Sequence, residues 1–127
     1  MTDDKKKVIM IVEDDSFLTD IYETKLTQEG FSVILAANGL EAMKKLEEAP
    51  LPNLILLDIV MPYKDGLEVL RDIKKTAKYQ DIPVILLTNL SQKEEIDKGL
   101  KLGACDYLIK SHFTPTEVLE KINGHIK

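Results

Sequence analysis

Leu54-Ile55-Leu56-Leu57-Asp58-Ile59-Val60-Met61-Pro62 decides the fold. Consecutive aliphatic residues without alternation describe a strand buried on both faces, the habit of parallel sheets covered by helices. The run ends in a lone carboxylate, Asp58, and open α/β sheets do their chemistry at the C-terminal tips of such strands. The pattern recurs along the chain. Val8 to Val12 runs into Glu13-Asp14-Asp15, Val84 to Leu87 into Thr88, and Asp106 to Ile109 into Lys110. Carboxylates, a hydroxyl and an ammonium are therefore expected to converge on one sheet edge.

Short runs rich in Val, Ile, Leu and Phe alternate with longer stretches of helical period, which predicts a parallel sheet with helices on both faces. The predicted strands are 7–12, 31–36, 54–58, 83–87 and 106–109, and the helices 16–29, 39–48, 66–76, 92–102 and 115–124. Phe17, Leu18, Ile21, Lys25 and Leu26 fall at helical spacing before Gly30, with the Lys25 stem lying along that face. Asn38 with Glu41, Asp65 with Glu68, Ser91 with Glu94 and Thr114 with Glu117 have the spacing of reciprocal caps. Asp15 reads as a helix-start residue, Pro115 as a first-turn proline, and Gly103 and Gly124 as stops.

A chain of 127 residues with 44% hydrophobic content has room for one core. Ordinary domains run to roughly 100–150 residues. The reading is a charged leader over 1–6 and a single domain over 7–127. A formal charge of -5 and the lack of a basic helix argue against direct nucleic-acid binding. Cys105 has no partner for an internal disulfide and reads as a small core residue just before a strand. The longest apolar run is far short of the roughly 20 residues of a membrane span. The expected location is the cytoplasm. His112 and His125 lack metal-ligand companions at useful spacing and read as exposed and incidental.

A carboxylate attacks phosphorus only where its own charge and that of the phosphoryl group are partly neutralised. Glu13 and Asp14 beside Asp58 would make an oxygen-rich pocket suited to Mg²⁺, to which the Val60 backbone carbonyl could add a ligand. Lys110 can pair with Asp58 or with a phosphoryl oxygen, and Thr88 can donate its hydroxyl to another.

With these residues in order, the chain resembles the receiver domains of bacterial two-component response regulators, of which the single-domain chemotaxis type is the simplest. The resemblance covers essentially the whole chain and rests on the acidic pair, Asp58, Thr88 and Lys110 at the family's spacing, with Lys64-Asp65-Gly66 between. It implies a doubly wound five-stranded sheet in the order 2-1-3-4-5 with five helices. It implies phosphorylation of Asp58, with Mg²⁺, by a histidine kinase or a histidine phosphotransfer protein. Thr88 and Tyr107 correspond to the family's coupled switch pair. The 92–124 face would be the surface that meets a downstream target, and the resemblance leaves open a homodimer formed on phosphorylation. Such a module is no classical enzyme. It catalyses its own aspartyl phosphorylation and slowly reverses it.

Asn89 stands where the family usually has a very small residue, and its side chain can crowd the phosphoryl entrance or donate to it. Val60 and Leu90 occupy two positions where the family tunes phosphoryl lifetime, and apolar side chains there should hinder a hydrolytic water. Slow self-dephosphorylation is the expectation. The family's lysine is commonly followed by proline through a cis bond, whereas Lys110 is followed by Ser111 in a loop one residue longer. Either a trans peptide with a rearranged loop or a strained cis bond is expected, the latter costing about 2.5–4 kcal/mol.

The competing reading is a pseudo-receiver, a protein-binding domain that works without phosphate. Asn89 and the altered Lys110 loop favour it; the intact acidic pair, Asp58, Thr88 and Lys110 oppose it. Enzymes on similar scaffolds fit less well. Glu13-Asp14-Asp15-Ser16 replaces the phosphate loop of a flavodoxin and the G-x-G-x-x-G of a dinucleotide binder. The D-x-D pattern of haloacid-dehalogenase-type phosphatases after the first strand is absent as well.

Overall fold

The computed structural model describes residues 6–48, 50–61, 64–89 and 93–126. Strands β1 (Val8–Val12), β2 (Ser32–Ala36), β3 (Leu54–Asp58), β4 (Val84–Thr88) and β5 (Asp106–Ile109) form one parallel sheet in the order β2-β1-β3-β4-β5. Helices α1 (Ser16–Gln28), α2 (Gly39–Glu48), α3 (Gly66–Lys75), α4 (Lys93–Leu102) and α5 (Pro115–His125) alternate with them. This is the doubly wound arrangement expected from the alternation of apolar runs and helical periods.

Successive strand side chains point to opposite faces, so each central strand feeds two cores. Met10, Val12, Ile55, Leu57, Val84 and Leu86 pack toward α2, α3 and α4, where Ala42, Leu46, Val69, Ile73 and Ile96 meet them. Ile9, Ile11, Leu54, Leu56, Ile85 and Leu87 pack toward α1 and α5, against Tyr22, Leu26, Val118 and Ile122. Full burial on both sides is why β3 and β4 read as unbroken aliphatic runs.

Helix starts follow the cap chemistry closely. Asp15 Oδ1 accepts from the amides of Phe17 and Leu18 at 3.0 and 3.3 Å, which opens α1. Both reciprocal bonds are present at Asp65 with Glu68 and at Thr114 with Glu117. Asn38 accepts from the Glu41 amide at 2.9 Å, but the Glu41 carboxylate accepts from Ala37 instead, one residue early. Ser91 lies outside the described residues, as do residues 1–5 of the leader. Gly30 and Gly103 take positive φ just after α1 and α4, whereas Gly124, expected as a stop, is helical.

Three further sequence expectations are corrected. The buried face of α1 is Thr19, Tyr22 and Leu26, with Leu18 partly covered; Phe17 and Ile21 point outward. Tyrosine, polar only at its tip, carries the stripe that a count of aliphatic residues assigns to Ile21. Cys105 is exposed rather than in the core, although its amide donates to the Val84 carbonyl of β4. His125 is half-buried and bonded to Asp106 rather than incidental.

Candidate functional site

Register builds the site. Val12 pairs with Leu57, so Glu13 and Asp58 leave the sheet side by side; Asp58 pairs with Leu87 and Thr88 with Ile109, so Thr88 and Lys110 follow on the next two strands. Glu13 and Asp58 are each 3% exposed and Thr88 is fully buried, although all are polar. Burying such groups costs several kcal/mol unless they are paired, on the order of the effective penalty per ion.

Lys110 supplies the pairing. Its Nζ donates to Asp58 Oδ2 at 3.0 Å and lies 2.7 Å from Glu13 Oε1, a buried oxygen met as an ion pair outside hydrogen-bonding alignment. Two backbone donors hold the other oxygens: the Val60 amide donates to Asp58 Oδ1 at 3.2 Å and the Asp15 amide to Glu13 Oε2 at 3.1 Å. Burial pushes the Glu13 carboxyl up to about 7; the Lys110 ammonium beside it opposes the rise, the Asp58 charge adds to it, and the Asp15 amide opposes it. Burial pushes the Lys110 ammonium down, but the carboxylates of Glu13 and Asp58 outweigh it and hold the group above the ordinary lysine value.

Glu13, Asp14 and Asp58 each offer a carboxylate oxygen, and these oxygens lie within 4.8 Å of one another. Asp14 is exposed while the other two are buried, so the group opens to solvent on one side. Hard oxygen donors with room for retained waters are what Mg²⁺ accepts. The residues present therefore fit such an ion.

Thr88 Oγ1 donates to the Asn89 carbonyl at 3.2 Å, and Asn89 is exposed beside it. Val60 is 55% exposed at the mouth. Tyr107 is also exposed, one residue after the start of β5. Leu90 lies outside the described residues. After β5 the chain turns through a 3-10 turn, Lys110–His112, and no peptide bond among the described residues is cis. Of the two expectations for this loop, the rearranged trans form is the one observed.

Sequence reading missed Tyr22, a buried α1 side chain that feels the charge of Glu13. Burial raises its hydroxyl pKa first, and the charge of Glu13 raises it further. It also missed the cluster at the other end of β5, where Lys121 and His125 reach Asp106. The spacing of fifteen and nineteen residues across a helix carries no local signal.

The family model for the response regulator receiver domain matches residues 9–123. The chain belongs to this family. The "Transcriptional regulatory protein CpxR homolog" of Haemophilus influenzae is 40% identical over 121 residues, covering 94% of this chain and 50% of that protein. The chain thus spans about half the length of the curated relatives it matches. Among solved structures, the Mn²⁺-bound form of response regulator Rcp1 is 33% identical with a TM-score of 0.80, covering 93% of this chain and 90% of that one. The phosphorylated cyanobacterial phytochrome response regulator RcpA is 30% identical with a TM-score of 0.82, covering 94% and 91% respectively. The fold and the two-component receiver class read from the sequence are what these comparisons show.

Proposed function

We propose that residues 7–127 act as a phosphorylation-switched module that accepts a phosphoryl group on Asp58 from a histidine kinase or histidine phosphotransfer protein. The observation that carries this reading is Lys110 held against Asp58 and Glu13 beside a three-carboxylate group at the sheet's C-terminal edge. One Asp58 oxygen forms a bond to phosphorus as the phosphorus–nitrogen bond of the donor phosphohistidine breaks, and the departing nitrogen keeps that electron pair. Asp58 is aimed for this role because the Val60 amide and Lys110 fix its two oxygens. Lys110 can follow the developing charge onto a phosphoryl oxygen, with the Thr88 hydroxyl as a second donor.

Glu13, Asp14, Asp58 and the Val60 carbonyl would hold Mg²⁺, which when bound offsets the negative charge of both reactants. Mn²⁺ in Rcp1 and the phosphorylation of RcpA support this assignment. Thr88 and Tyr107 would pass the new charge to the 92–124 face, where a downstream protein binds, with a homodimer as one form of the response. Val60, Asn89 and Leu90 would govern access of water, giving slow self-dephosphorylation. No described helix is long and apolar enough to cross a membrane, and a cytoplasmic setting suits the proposed donors.

Intact-mass spectrometry after incubation with acetyl phosphate tests the reading. One phosphoryl mass should appear only in wild type with Mg²⁺, and not in Asp58→Asn or without Mg²⁺. No gain under any condition would move the chain to the pseudo-receiver reading.

A further inference from the structure

The first turn of α2 touches the segment after Asp58 through a residue that has no side chain. A Cβ built on Gly39 would lie 2.3 Å from the Lys64 carbonyl oxygen, 2.7 Å from Lys64 Cβ and 2.7 Å from Val69 Cγ2. The nearest of these is backbone and cannot rotate away. Gly39 is itself buried, and the turn it opens is anchored to the end of β2: Glu41 accepts from the Ala37 amide, and Lys45 pairs with Glu41 and donates to the Leu35 carbonyl. The helix start is thus a fixed surface against which Lys64 rests.

Lys64 is two residues from Gly66, whose amide donates to the Ile59 carbonyl at 2.8 Å and whose own Cβ would fall 2.1 Å from the Asp58 carbonyl oxygen. Ile59 precedes Val60, whose amide holds Asp58 Oδ1 at 3.2 Å. A continuous path of short backbone contacts therefore runs from Gly39 through Lys64, Gly66 and Ile59 to the reactive carboxylate.

We propose that Gly39 is a positioning residue for the acidic group: by letting α2 abut the Lys64 backbone, it sets where Asp58 and Val60 stand relative to Glu13 and Asp14. The proposal deepens the reading above and rests on its metal site. Adding one methyl at position 39 forces Lys64 outward, and the displacement passes through the Gly66–Ile59 hydrogen bond to Val60. Misplacing a ligand's support costs metal sites roughly 10–100-fold in affinity.

The test compares Gly39→Ala with Ala42→Gly, which weakens the same helix at a buried position without pushing on Lys64. Backbone amide NMR of the metal-free proteins, followed by Mg²⁺ titration, gives both readouts. Gly39→Ala should shift the Ile59, Val60 and Lys64 amides and weaken Mg²⁺ by roughly tenfold, while Ala42→Gly keeps wild-type affinity despite its lower stability. If Gly39→Ala does not fold, the double variant with Val69→Ala removes the Val69 contact, keeps the contacts with the Lys64 carbonyl and Cβ and should show the same loss. Equal Mg²⁺ affinity in wild type and variant, or none in either, overturns the proposal. Wild type that binds Mg²⁺ but takes no phosphoryl group would sink the phosphorelay reading while the positioning role stands.

Discussion

The two ends of β5 carry opposite electrostatic designs. Just past its last residue, Lys110 faces Glu13 at 2.7 Å and Asp58 at 3.0 Å, with Asp14 completing the acidic group, so among the described residues one paired cation stands beside three carboxylates. At its first residue the ratio inverts. The Asp106 carboxylate receives Lys121 at 2.9 and 3.1 Å, the Tyr107 amide at 2.8 Å and the His125 ring nitrogen at 3.0 Å. The first cluster is buried at Glu13 and Asp58, open to solvent at Asp14 and short of positive charge; the second is half-exposed and fully partnered. A charge mismatch costs stability wherever it is buried, and folds tend to keep such costs where function uses them. The partnered cluster ties α5 to β5; in the proposed function the mismatched one is completed by a cation and a phosphoryl group.

The strongest way to break this contrast is Asp58→Asn. It should abolish phosphoryl uptake completely, as read by intact mass, and yet raise stability by about 1 kcal/mol in urea melts without divalent cations, because one buried like charge is gone. Added Mg²⁺ should stabilise wild type and close most of that gap. A destabilised Asp58→Asn protein would mean that Asp58 is structural and that the mismatch was misjudged.

Lys110→Ala should come next in size. Phosphoryl uptake from acetyl phosphate should fall by about 100-fold or more, the scale of losing one preorganised electrostatic donor. Far-UV circular dichroism should be unchanged, since α5 and β5 have their own tie at the opposite end. Uptake at the wild-type rate would show that the carboxylates are neutralised by something other than this ammonium.

These contrasts also explain what could be read from the chain in advance. The sheet, its two faces and most helix ends were legible because β3 and β4 are unbroken aliphatic runs and the caps at Asp65 and Thr114 are local signals. The convergence of Glu13, Asp58, Thr88 and Lys110 was legible because strand ends in a parallel sheet share one edge. What stayed hidden lies across helices or in their phase. Nothing near Asp106 in sequence announces Lys121 or His125, and the phase of α1 turned on whether Tyr22 or Ile21 faced the core, which residue hydrophobicity alone decides wrongly. Gly39 was equally silent, because its importance lies in what its missing Cβ would strike.

The partnered end predicts the reverse of the site end. Asp106→Asn should cost about 1 kcal/mol, the upper range for a half-exposed ion pair, and leave phosphoryl uptake untouched. Equal loss of stability and uptake would show the two ends of β5 to be one coupled network rather than two designs.

The pH dependence of that loss is the smallest effect and the sharpest check. Burial pushes the Asp106 carboxyl up, but hydrogen bonds from His125 and Lys121, with the Tyr107 amide, outweigh it and hold the group below the ordinary carboxylate value. A folded-state pKa depressed in this way contributes stability that is fully present above the unfolded value, about 4, and is lost as pH falls through the folded one. The stability gap between wild type and Asp106→Asn should therefore hold steady from neutral pH down to about 5 and shrink below about 4, as Asp106 itself takes up a proton. Urea melts across that range, with ionic strength fixed, read it directly. A gap that persists undiminished at the acid end would assign the stabilisation to the shape of the hydrogen bonds rather than to the carboxylate's charge, and would remove the electrostatic half of the contrast between the two ends of β5.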